Sequence, residues 1–232
     1  MRLTDFSQNE YFHLYNRGTD KRDIFLEDRD FQRFYESLYL FNDKNYNRKG
    51  GQIFERVVQL SGAEVFAMDR DCLVSILSYK LMTNHYHLLV REEQEGGVSA
   101  FMHRLGTGYT NYFNVQMNRS GSLFQGPFQA VHVASDSQLE HLVRYMHLNE
   151  LDRYGIPWRE GEVVDWEQCF QVLHKDPYSS HGLYCGREQK LPVIDAELVK
   201  NLFPDIEEYL DFLKGWTQRS LLELPVDSLH LE

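Results

Sequence analysis

The sequence predicts an α+β fold of the ferredoxin-like kind, in which a β-α-β-β-α-β succession makes one sheet with helices against it. Two observations carry this expectation. Short aromatic and β-branched runs at Tyr11–Asn16, Cys72–Met82, His85–Val90 and Ala130–Val133 read as strands. Between them, Phe31 to Phe41 and Phe101 to Phe113 place apolar residues at spacings of three and four, as amphipathic helices do. An additional helix after the last strand completes the pattern.

The first strand closes at Arg17-Gly18, a turn signal. Asp28-Arg29-Asp30 then supplies an N-terminal cap for a helix whose apolar positions are Phe31, Phe34, Tyr35, Leu38 and Phe41. Residues 43–70 are polar and Gly-containing at their start and read as a loop or insertion, with a short helical turn over Phe54–Leu60. Thr83-Asn84 separates the second and third strands, which form a hairpin or one bent strand. Gly96-Gly97 leads into the second helix, and Gly106 and Gly108 inside it point to close packing, because each weakens a helix by about 1 kcal/mol relative to Ala. Ser135-Asp136 caps the additional helix, whose apolar face is Leu139, Leu142, Val143 and Met146, with Gly155 beyond its end. After Trp158 the pattern weakens into an acidic stretch with two short helices, Ala196–Leu202 and Ile206–Leu213. The expected division is therefore 1–158 for the domain bearing the chemistry and 159–232 for an acidic, mainly helical C-terminal appendage without chemistry.

The formal net charge of −11 argues against a nucleic-acid partner until its distribution is considered. No Asp or Glu occurs from Gly96 to Ser135, or from Cys72 to Arg91, whereas Leu191 to Glu232 holds nine acids against three basic residues. A local field decides steering, so the acid-free middle can meet phosphates. No run approaches the roughly 20 apolar residues of a membrane span. Met1 to Phe6 has no apolar core of a secretory signal, and the final Leu231-Glu232 reads as a vector remnant. Cys72, Cys169 and Cys185 are widely spaced and odd in number, so they are expected to be reduced thiols in a cytoplasmic protein, outside any zinc or disulfide frame.

The stretch with most chemical content is Thr83-Asn84-His85-Tyr86-His87-Leu88-Leu89-Val90. Alternation in a strand puts His85 and His87 on one face, expected to be exposed, about 7 Å apart along the chain, where two imidazoles can share a divalent cation. Tyr86 points the other way, into the packing behind the sheet. Two hydrogen-bonded histidines at a strand end are the plainer alternative.

The additional helix offers the complement. Tyr145 and Asn149 are four residues apart and share a helical face, with Arg144 beside the tyrosine and His147 on another face. A phenol with an unperturbed pKa near 10 is a weak nucleophile at neutral pH, and a metal polarising a phosphate would meet that need. Tyr145 is then a nucleophile and Asn149 Oδ1 a third oxygen ligand. Read as structure, the same residues are a core aromatic and a helix C-cap. Lys80, Arg104, Arg119 and Arg144 are candidates for contacts to a nucleic-acid backbone. Tyr109, Tyr112 and Phe113 are candidates for base stacking, although a core role suits them better.

Asn84 to Val90, then Leu123-Phe124-Gln125-Gly126, then Arg144-Tyr145-Met146-His147-Leu148-Asn149 resemble, in order and spacing, the REP-associated tyrosine transposases. These are bacterial relatives of the single-tyrosine insertion-sequence transposases in the HUH endonuclease group. The resemblance runs from about Tyr11 to about Gly155. It implies a metal-dependent single-stranded DNA endonuclease and strand transferase acting beside DNA hairpins through a 5′-phosphotyrosine intermediate. It also implies Mg²⁺ or Mn²⁺ on His85 and His87, with Asn149 where relatives place a Gln ligand. Relatives commonly have a basic residue where this chain has Pro127, and Pro where it has Glu150. The first departure removes a phosphate contact and the second puts a carboxylate near the metal. A DNA-hairpin-binding protein that has lost cleavage and a small-nucleotide phosphodiesterase therefore stay open, as does the choice between monomer and homodimer.

Overall fold

A computed structural model describes residues 5–46, 62–160 and 165–215. Four strands, β1 (Tyr11–Arg17), β2 (Val74–Met82), β3 (His85–Glu92) and β4 (Gln129–Val133), form one sheet in the order β2-β3-β1-β4. Each neighbouring pair is antiparallel. With α1 (Asp28–Leu40) after β1 and α3 (Gly97–Gln116) after β3, this is the β-α-β-β-α-β arrangement. The short α2 (Gly62–Phe66) lies between α1 and β2. The helical turn expected over Phe54–Leu60 falls outside the described residues.

Alternation along the strands divides the molecule into two cores. Phe12, Leu14, Tyr86, Leu88 and Val90 face α1 and α3, where Phe34 packs against Tyr86 at a ring separation of 4.8 Å. The cap of α1 falls at Glu27, one residue before the expected start, and Asp30 completes the reciprocal bond. Gly108 marks close packing, since a Cβ there would stand 2.5 Å from the Phe41 ring, whereas Gly106 has open space around it.

The other face of the sheet is covered as well. The additional helix, α4 (Asp136–Leu148), is capped by Ser135, whose side chain accepts from the Gln138 N–H. It lays Leu139, Leu142, Val143, Tyr145 and Met146 into a second core with Leu77, Leu89 and Val133. A 3-10 turn, Asn149–Tyr154, follows it and ends at Gly155 with φ +65°. Beyond lie α5 (Trp166–Lys175), α6 (His181–Tyr184), α7 (Ala196–Leu202) and α8 (Ile206–Lys214). Cys169, Leu173, Tyr184, Phe203, Tyr209 and Leu213 from these elements enter the same core. A helix packed between a sheet and further helices is buried on more than one side, which is why polar Arg144, His147 and Asn149 are buried along with Tyr145. Among the described residues no helix is long and apolar enough to cross a membrane.

Candidate metal centre and tyrosine

His85 and His87 project from one face of β3, ring centroids 5.0 Å apart, while Tyr86 projects from the other. That face is not open, as expected from the strand alone, because α4 covers it: His85 is 7% exposed and His87 fully buried. Register then decides their neighbours. His87 pairs across the sheet with Tyr15 on β1 and Lys80 on β2, and His85 with Arg17.

Hydrogen bonds fix what each imidazole offers. His85 Nδ1 lies 2.6 Å from Asn84 Oδ1, an acceptor, so Nδ1 carries the proton and Nε2 keeps its lone pair. His87 Nδ1 lies 2.9 Å from His13 Nε2, and its own Nε2 is a buried atom without a hydrogen-bond partner. Burial holds His13 neutral, with its pKa down at about 3. His13 Nε2 can then accept from His87 Nδ1–H, leaving a bare lone pair on His87 Nε2. Burial likewise lowers His85 to about 4, helped by the charges of Arg17 and Lys80, and puts His87 well below the ordinary range. Two neutral imidazoles on one face, each with its second nitrogen fixed by a neighbour, are what a divalent ion requires of histidine ligands. The residues fit such an ion.

These shifts have a consequence for the metal-free chain. Unfolded, the histidines take up protons near the ordinary pKa of about 6.5; folded, His13 and His181 do so only near 3 and His85 near 4. The unfolded state binds more protons in that window, so the stabilisation is complete above about pH 6.5 and is lost as pH falls towards 4. Urea midpoints should stay level from pH 7.5 to about 6.5 and then fall down to pH 4.5, and a series flat over the whole range would contradict the buried, neutral assignment.

Tyr145 is fully buried on α4, its ring 6.3 Å from that of His87. Asn149 is the C-cap of the same helix, its N–H donating to Tyr145 O, so the structural reading of this residue is realised. Its Oδ1 accepts from Arg159 Nη2 at 2.7 Å, which uses one of two lone pairs. Arg159 is the residue that sequence reasoning passed over. Its guanidinium lies 5.2 Å from the centre of the Tyr145 ring, contributes to the repulsion that keeps His87 neutral, and pairs with Asp152 at 2.6 Å. Arg17, half-buried opposite His85, was passed over too; its Nε has no hydrogen-bond partner.

The four cations expected to meet a nucleic-acid backbone fare differently. Lys80 is 1% exposed, with Nζ 2.5 Å from both Glu150 Oε2 and Asp176 Oδ2, so it is withdrawn from any phosphate. Glu150 is thereby accounted for as an ion-pair partner of Lys80 and, at 3.0 Å, of Arg153. Arg144 is 7% exposed and stacked 3.8 Å over the Phe212 ring, on the side of α4 turned to α8, which corrects its expected surface role. Arg104 and Arg119 are half-buried in the α3 region, across the sheet from the histidines. The first donates to Asp43 O at 2.5 Å; the second donates to Asn114 Oδ1 at 2.7 Å and Ser122 O at 2.9 Å. Tyr109 and Tyr112 also belong to that far side, the hydroxyl of one donating to Ile24 O at 2.6 Å and of the other to Asp30 at 2.8 Å.

Residues 51–149, a stretch that contains β2, the histidine strand and α4, match the family model described as "Transposase IS200 like". Over this stretch the chain is similar to the IS200-like transposases. The segment spans less than half of the sequence, holds His85, His87 and Tyr145, and ends on Asn149. A solved structure described as "Structure of the REP associates tyrosine transposase bound to a REP hairpin" is similar to this chain at 10% sequence identity and a TM-score of 0.48, over 81% of this chain and 86% of that one. No curated protein sequence matches.

Proposed function

We propose that this protein is a metal-dependent single-stranded DNA nicking and strand-transfer enzyme that works beside DNA hairpins, with Tyr145 as nucleophile. The observation that carries the reading is the pair of neutral imidazoles, each with an uncommitted Nε2, on the sheet face that Tyr145 covers. His85 and His87 would hold a Mg²⁺ or Mn²⁺ ion, with the second lone pair of Asn149 Oδ1 as a third donor. Such an ion supplies Lewis-acid stabilisation of charge on a phosphate oxygen. Imidazole ligands favour Mn²⁺ in the tube, and Mg²⁺ is the more abundant ion in cells.

The protein's own groups then divide the work. The Tyr145 hydroxyl attacks phosphorus, forming a 5′-phosphotyrosine and releasing a 3′-hydroxyl; a second 3′-hydroxyl can reverse the step without ATP because the ester bond is conserved. Arg17, opposite His85, and Arg159, whose charge acts on His87, would bind the non-bridging phosphate oxygens. His13 fixes the tautomer of His87, and Asn84 that of His85.

A second reading, hairpin binding without cleavage, is favoured by the complete burial of Tyr145. One experiment separates the two. Labelled single-stranded hairpin DNA is incubated with the protein and Mn²⁺ and run on a denaturing gel. A protein-linked band supports the enzyme; retained binding with no linked band supports the binder. For the metal itself, calorimetric titration with Mn²⁺ should lose its signal in His85→Ala/His87→Ala and keep most of it in Asn149→Ala. An unchanged titration in the double variant removes the site.

A further inference from the structure

A second cluster, on the C-terminal elements, has the donor set of a different class of metal. His174 lies in the last turn of α5, His181 opens α6, and Cys185 follows it. His181 and Cys185 are four apart on one turn, the Cys185 N–H donating to His181 O at 3.2 Å. His174 Nδ1 stands 2.8 Å and Cys185 Sγ 3.6 Å from His181 Nε2, and the three ligand atoms lie within 4.8 Å of one another. Tetrahedral zinc, with bonds of about 2.0–2.1 Å to nitrogen and 2.3 Å to sulfur, separates its ligand atoms by roughly 3.3–3.6 Å. The sulfur–nitrogen distance already matches. The nitrogen–nitrogen distance must open by about half an ångström, which the exposed side chain of His174 permits.

The surroundings set the tautomer that such a site needs. His181 Nδ1 is 2.6 Å from Tyr209 Oη, Tyr209 Oη is 2.8 Å from His147 Nδ1, and His147 Nε2 is 2.7 Å from Ser180 Oγ, which donates to Tyr79 O. The direction of donation that suits a metal runs from His181 Nδ1–H to Tyr209, from Tyr209 to His147, and from His147 Nε2–H to Ser180 or to Ser78 Oγ, 3.0 Å away. It leaves the lone pair of His181 Nε2 turned towards His174 and Cys185. Burial pushes the Cys185 thiol up to about 11, and the nearby cation Arg187, which donates to His174 O and Asp176 O, offsets only part of that.

We infer that His174, His181 and Cys185 form a zinc site, with water as the fourth ligand, that ties α5 and α6 to the helix bearing Tyr145 through the Tyr209–His147 chain. The Cys185 thiol loses its proton to solvent when the ion binds. Thiolate makes the site selective for Zn²⁺ and Co²⁺ over Mg²⁺ and Mn²⁺, unlike the His85–His87 pair. Cys185 was expected to be a plain reduced thiol, because the three cysteines are widely spaced and odd in number.

The test is a Co²⁺ titration of the full chain under reducing conditions, read by the sulfur-to-cobalt charge-transfer absorption that no His-only site produces. One equivalent should bring up the band, Zn²⁺ should abolish it, and excess Mg²⁺ should leave it unchanged. Cys185→Ser should remove the band, and His174→Ala, at an exposed position, should weaken Co²⁺ binding about tenfold or more. Circular dichroism checks that both variants are folded. No band in the unsubstituted chain overturns the inference, as does a band that survives Cys185→Ser and so belongs to Cys72 or Cys169.

Discussion

Replacing Tyr145 with Phe should abolish the covalent protein–DNA adduct while hairpin binding stays nearly unchanged. The substitution removes one hydroxyl and keeps the ring that packs against His87 and Trp158, at 6.3 and 6.0 Å between ring centres. Loss of a nucleophile commonly costs a thousandfold or more, on the order of 10⁶ in the best-studied hydrolases, so adduct should fall below detection. Stability should change by only about 1 kcal/mol, the usual worth of one buried hydroxyl's hydrogen bond. Tyr109→Phe and Tyr112→Phe should keep the adduct, because their hydroxyls are committed to Ile24 and Asp30 on the far side of the sheet. Burial and then the Asp30 bond push the Tyr112 hydroxyl up to about 12, a further handicap for a nucleophile. Adduct from Tyr145→Phe, quantified on a denaturing gel with labelled hairpin DNA, would transfer the role to another residue and leave the histidine pair standing.

The largest stability effect is expected at Lys80. Its ammonium is 1% exposed between Glu150 and Asp176, themselves 4% and 5% exposed, so Lys80→Met strands Asp176 and leaves Glu150 with only the solvent-facing Arg153. Breaking a buried ion pair from one side costs about 3–5 kcal/mol. The triple change Lys80→Met, Glu150→Gln, Asp176→Asn removes the charges together and should recover most of that loss, because desolvation of the ions offsets much of their attraction. Urea denaturation of the single and triple variants measures both. If Lys80→Met costs less than about 1 kcal/mol, the group behaves as a surface pair and the buried arrangement is wrong.

The sequence alone carried the element order, because helix and strand periodicities are local properties of a dozen residues. It also placed His85 and His87 on one face of one strand, and Tyr145 and Asn149 one turn apart on one helix, since both relations follow from backbone geometry. What surrounds those side chains was beyond its reach. The His13–His87 contact spans 74 residues and exists because β1 pairs with β3 in one register. Arg159 reaches Asn149 and Tyr145 only because the chain folds back after the 3-10 turn. Lys80 looked like a phosphate contact from its acid-free neighbourhood in the chain, yet carboxylates 70 and 96 residues away neutralise it. His174, His181 and Cys185 converge through the meeting of two short helices, with no spacing that announces a metal. Local propensity is encoded residue by residue, whereas burial, charge pairing and tautomer are set by which distant segments share one core, and that sharing is decided only when the whole chain packs.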